Sequence, residues 1–115
     1  MNARQFTLVN EHAIQHEILD LLETAASAGV NTLPMFRRLL GFTQVHFHCE
    51  EVLMKEHRYD QLYVHEMRHI EILQQLDEYD TGSALSVDQV HEIKCLIDEH
   101  NATHDEAFNC FLIDR

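Results

Sequence analysis

Helix breakers are almost missing from this chain. One proline and three glycines occur in 115 residues, and apart from Gly41 they fall between long periodic segments or at their ends. Proline and glycine are what interrupt a helix, so the chain is expected to be helical nearly throughout. A first helix can start with Asn10 as its N-cap and run to about Ala28, with Gly29 as its stop; Ile14, Ile18, Leu21 and Leu22 give it an apolar stripe. A second begins near Thr32, with Pro34 in the first turn where a missing N–H costs little, and reaches about His57. Phe36, Leu39, Leu40, Val45, Phe47, Val52, Leu53 and Met54 supply its apolar side. Asp60 can cap a third helix that carries Leu62, Met67, Ile70, Leu73 and Leu76 and gives out around Gly82. Ser86, with Gln89 three residues on, signals a capping box for a fourth that reaches about Ile113. Four helices with short connections imply an all-α fold, an up-down-up-down four-helix bundle, in one domain over residues 1–115.

Histidine is the second constraint. Ten occur, more imidazole than an ordinary core or surface explains, and the densest stretch is HFHCEEVLMKEHRYDQLYVHEMRH, from His46 to His69. His46 and Glu50 are four residues apart, as are His65 and His69, so on helices each pair projects from one face with side chains near enough to share a small ion. Imidazole with carboxylate suits iron, zinc, copper or nickel, whereas calcium and magnesium take all-oxygen sites. Taken singly, each of these residues fits a solvated polar face; jointly, with Phe47, Met67 and Ile70 around them, they point to a transition metal inside a helical bundle. The other helices offer His12 and His16 on the first and His100, His104 and Asp105 on the fourth. Spacing alone favours His104 over Asp105 as the companion of His100, because it lies four residues away. His12, His48, His57 and His91 read as surface histidines or as neighbours of the ligands, and Glu51 as exposed.

Charge and cysteine usage exclude several classes of partner. Eight Lys and Arg against twenty Asp and Glu give a net charge of −12, which argues against nucleic acid or an anionic membrane surface. Cys49, Cys95 and Cys110 are odd in number and lack CxxC spacing, and MNARQFTLVN has no apolar signal-peptide core, so a cytoplasmic protein with reduced thiols is expected. No apolar run approaches the roughly 18 residues of a membrane span.

The motifs together resemble a known family. Gln15–His16 near the start, His46-Phe47 with Glu50-Glu51 and then Met54, Tyr59 leading to His65 and His69, and His100 with Asp105 follow the pattern of the hemerythrins, specifically the bacterial single-domain type, in the right order over about the whole chain. That resemblance implies a non-haem di-iron centre. His65, His69 and His100 would hold one iron, His16 and His46 the other, with Glu50, Asp105 and an oxo or hydroxo group bridging them. It also implies reversible dioxygen binding, as a carrier, store or sensor. Counting positions, the three-histidine iron is filled and the other keeps one open, so oxygen is expected there, in a pocket that Leu19, Phe47 and Ile97 would keep apolar. The chain departs from the usual pattern at His12, where an aliphatic residue is common, at Ala13, commonly Asp, and at Asn101, commonly apolar. His12 lies one turn before His16 on the same helix face, so if it points inward it can ligate or hydrogen-bond.

Two other functions fit the same residues. A di-iron peroxidase or oxidase would use polar groups such as His12 or Asn101 to deliver protons. A zinc or metal-storage module would bind metal without redox colour. No attached signalling module is expected, so a sensor would need a separate protein partner.

Overall fold

The computed structural model describes residues 3–113, and the side chains of all of these except residues 3–10, 104, 105 and 109. It is all-helical: α1 spans Ala3–Ser27, α2 Leu33–Glu56, α3 Leu62–Asp77 and α4 Val87–His100, continued by a π turn, Asn101–Asp105, and α5, Glu106–Ile113. No strand occurs among the described residues. α1 packs on α2 and α4, α2 on α3, and α3 on α4. No helix of the described residues is long and apolar enough to cross a membrane.

The helix ends follow from local chemistry. α1 stops in a Schellman turn: Val30 N–H reaches Ala25 O at 3.0 Å and Gly29 N–H reaches Ala26 O at 3.2 Å, with Gly29 at φ 72°. The same turn closes α2, where Tyr59 N–H bonds Met54 O at 2.9 Å, but the left-handed position belongs to Arg58 at φ 52°. Tyr59 and Met54 lie in one apolar cluster, the contact that usually accompanies this motif. The capping box of α4 is complete, with Gln89 N–H to Ser86 Oγ at 3.1 Å and Ser86 N–H to Gln89 Oε1 at 2.9 Å. Two expected caps differ. Asn10 lies inside α1, because nothing in the preceding ARQFTLV breaks a helix. Asp60 does not cap α3, whose N-cap is Gln61 without a side-chain bond. Thr32, at the N-cap of α2, turns its hydroxyl instead to Leu85 N–H at 2.6 Å and so ties the α3–α4 connection down.

The buried stripes place the site. Along α1 the inward positions read Gln15, Leu19, Leu22, with half-buried His12 one turn before Gln15; along α2 Phe36, Leu39, Thr43, His46, Phe47, Glu50, Met54; along α3 His65, His69, Ile72, Leu76; along α4 Val90, Ile93, Ile97, His100. Each has the spacing of about three and four that one helix face requires. At one level the stripe of every helix is apolar, and there Leu19, Leu22, Phe36, Leu39, Phe47, Ile72, Leu76, Leu85, Val90, Ile93 and Ile97 form the main core. Beyond it the stripes turn polar together, and past that level Met54, Tyr59, Phe108 and Leu112 form a second apolar cluster. A layer of imidazoles and carboxylate is thus held between two apolar clusters.

This register corrects several apolar assignments. Ile14, Leu21, Val45, Val52, Met67 and Ile70 are exposed. Met67 sits between His65 and His69, about 200° around the helix from His65, so once the histidines face inward it must face out. On α1 the same logic applies, because the buried phase is set by Gln15, Leu19 and Leu22 and not by Ile14 and Leu21.

Candidate metal centre

Glu50 is the centre of the polar layer. Its carboxylate is 0% exposed, and Oε1 stands 3.6 Å from His46 Nε2 and 3.3 Å from His69 Nε2. Two groups of donors overlap on it. Glu50, His65, His69 and His100, all buried, offer one ligand atom each within 4.8 Å of one another, and so do His12, His46 and Glu50. α2 supplies His46 and Glu50 one turn apart, α3 supplies His65 and His69 one turn apart, and α4 ends on His100. The rings pack edge to face: His65 and His69 centroids are 4.5 Å apart, His65 and His100 5.2 Å, His69 and His100 5.0 Å, and His12 and His46 4.8 Å. Phe47 stacks on His69 at 3.8 Å and meets His100 at 5.2 Å, so one wall of the site is aromatic.

Outer carboxylates aim two of these rings. His46 Nδ1 donates to Glu11 Oε2 at 2.6 Å, and His69 Nδ1 to Glu51 Oε1 at 3.4 Å. An ionised carboxylate only accepts, so Nδ1 carries the proton in both rings and the neutral imidazole turns the lone pair of Nε2 inward, toward Glu50. Two lone pairs facing a buried carboxylate repel one another in a medium of low dielectric unless a cation or an added proton lies among them. This is the arrangement metal-ligating histidines take, the second nitrogen held from outside. A six-coordinate ion with bonds of about 2.1 Å spans opposed donors about 4.2 Å apart, so donors already within 4.8 Å fit a first-row ion after small movements. Glu51 is half-buried rather than exposed, and burial, followed by the charge of Glu66, pushes its carboxyl up from the ordinary range. Burial, then Glu11, pushes the neighbouring Cys49 thiol up, which keeps it protonated.

Of the residues singled out in the sequence, His46, Glu50, His65, His69 and His100 are brought together. His16 is not: it lies on the α4 side, with Nε2 3.2 Å from Asp98 Oδ1 and a side chain 45% exposed. His12 stands on the inner face instead. Gln15 explains the phase. It is buried, donates to Thr43 Oγ1 at 3.2 Å and accepts from Asn101 Nδ2 at 3.1 Å, so the residue after it must turn aside. Leu19, Phe47 and Ile97 are buried together in the main core, with Phe47 against the imidazoles. His48 and His91 are exposed, His91 3.6 Å from Glu23.

The side chains of Asp105 and His104 lie outside the described residues, but the backbone bears on the choice between them. After His100 the helix widens into a π turn, with Glu106 N–H bonded to Asn101 O. A π turn takes up one extra residue, so the residue five on stands about where an α-helix places the residue four on. The one-face rule that favoured His104 therefore does not apply across this turn. Sequence reasoning did not reach Glu11 or the Gln15–Thr43–Asn101 string; their only signal is that Gln15 and Thr43 fall three residues from His12 and His46, and Glu11 and Asn101 next to His12 and His100.

Comparison with protein-family models, with curated proteins and with solved structures gives no match to this chain. The chemistry of the donor set is what bears on function.

Proposed function

We propose that the protein is a non-haem di-iron protein that binds dioxygen reversibly, built as an up-down-up-down bundle of the hemerythrin type that its motifs resemble. The observation that carries this reading is the pair of donor groups overlapping on Glu50. The six donors, His12, His46, Glu50, His65, His69 and His100, fall into two groups rather than one, and two groups sharing one carboxylate suit two ions held a fixed distance apart. When bound, such a pair supplies dioxygen with one electron from each iron.

The protein's own part is to orient donors and exclude water and protons. Glu11 and Glu51 fix the tautomers of His46 and His69. Met54, Tyr59, Phe108 and Leu112 close one end of the layer and the main core closes the other, which keeps external protons away. Of the two polar side chains that could deliver a proton, Asn101 has its amide tied to Gln15 and His12 stands with His46 and Glu50 as a donor to metal, which favours a carrier, store or sensor over a peroxidase or oxidase.

The test is the visible spectrum of protein loaded anaerobically with iron(II). A new band should appear when air is admitted and fade when oxygen is removed, over repeated cycles, and azide should compete for the same position in oxidised protein. Steady turnover of hydrogen peroxide would establish the enzyme instead. Tight zinc binding with no redox colour would establish neither.

A further inference from the structure

α1 carries two histidines one turn apart, and the family resemblance implies that the second, His16, ligates metal. The fold favours the first. A ring nitrogen of His12 lies with the donor atoms of His46 and Glu50 within 4.8 Å, and the His12 and His46 rings meet edge to face with centroids 4.8 Å apart. His16 reaches Asp98 on α4, at 3.2 Å.

The choice is locked by neighbours on the same helix. Relative to His12, buried Leu19 lies about 20° and buried Gln15 about 60° to one side, so His12 stands on the edge of the inward face; His16 lies about 40° to the other side, about 100° from Gln15 and toward α4. Gln15 is bonded at both ends of its amide, to Thr43 on α2 and to Asn101 in the π turn. Glu11, beside His12, holds His46 Nδ1 at 2.6 Å. Placing His16 where His12 stands would need α1 to slide by four residues, about 6 Å, which would break both Gln15 bonds and the Glu11 contact.

We infer that His12, and not His16, is the metal ligand supplied by the first helix, completing with His46 and Glu50 a site for a borderline divalent ion, and that Gln15 is the positioning residue that selects it. This rests on the two-ion reading above. His16 with Asp98 then serves as an outer strap between α1 and α4.

The experiment counts metal in whole protein loaded with cobalt(II) and freed of excess, by elemental analysis and cobalt absorption, with circular dichroism to confirm folding. Wild type should hold two ions, His12→Ala and the gentler His12→Gln one, and His16→Ala two. Nitrogen-15 spectra of the zinc-loaded wild type supply a test without substitution: the His12 ring should carry a metal-bonded nitrogen and the His16 ring none. Loss of an ion in His16→Ala with retention in both His12 variants overturns this assignment and leaves the two-ion reading standing. Two ions in all variants overturn it as well. A single ion in wild type overturns both.

Discussion

Glu11→Gln should weaken metal binding at the His46 end of the site by about 10- to 100-fold, or roughly 1.4–2.8 kcal/mol, the usual cost of removing the carboxylate behind a ligating histidine. The geometry places this substitution at the heavy end. The His46 Nδ1 to Glu11 Oε2 contact is 2.6 Å, short even for a charge-assisted bond, and the Glu11 side chain is only 19% exposed, so solvent and salt screen it little. Glutamine keeps the volume and an accepting oxygen, so the tautomer survives and the loss isolates the charge. Glu51 is the internal control. Its carboxylate stands 3.4 Å from His69 Nδ1, at the limit of a hydrogen bond, and Glu51→Gln should therefore cost under about tenfold. Competition titrations of cobalt(II) or zinc(II) against a chelator of known affinity measure both. Unchanged affinity in Glu11→Gln, or a larger loss in Glu51→Gln, would refute the idea that the short contact orients the ligand.

Other substitutions test the supporting structure. Gln15→Leu leaves the Thr43 hydroxyl and the Asn101 amide without their buried partner and should lower the stability of metal-free protein by about 1–3 kcal/mol, read from the denaturant midpoint; an unchanged midpoint would mean water replaces the amide. Arg58→Gly removes a left-handed non-glycine residue from the end of α2 and should stabilise by about 0.5–1 kcal/mol, a rise of a few degrees in Tm. The hydrogen bond to Glu92, then burial, pushes the Tyr79 hydroxyl up to about 12, so its neutral form is favoured by folding. That contribution is complete below pH of about 10, the free tyrosine value, and is lost as pH rises through about 12. Burial, then Asp60, pushes the Tyr59 hydroxyl up as well, so in an ultraviolet titration both should ionise late, and Glu92→Gln should move Tyr79 down and leave Tyr59 in place. Saturating metal at about 1,000 times Kd should stabilise by about 4 kcal/mol, so chelation should lower Tm by on the order of 10 °C. Equal melting with and without metal would mean the histidines need no cation.

Much of this fold is legible because its signals are local. Pro34, Gly29 and the Ser86–Gln89 box act within one turn of themselves, and the helix ends they announce are where they should be. His65 and His69 need only helical spacing to share a face. What the sequence hides is phase. α1 has apolar residues all round, and Ile14 and Leu21 make as good a stripe on paper as Leu19 and Leu22; Gln15, a polar residue, sets the buried side through partners 28 and 86 residues away. The choice between His12 and His16 inherits that ambiguity. Glu11 is hidden for the same reason, since its partner His46 lies 35 residues on. The π turn after His100 leaves no mark in NATHD that a count of spacings would detect, so α-helical spacing does not carry across it.

The central claim, two metal ions sharing Glu50 in a buried layer, is tested most directly by anomalous diffraction at the iron edge from crystals of iron-loaded protein. Two peaks of comparable height, one among His65, His69 and His100 and one beside His46, with the Glu50 carboxylate between them, are the expected result. One peak, or iron found only at surface carboxylates, would contradict it.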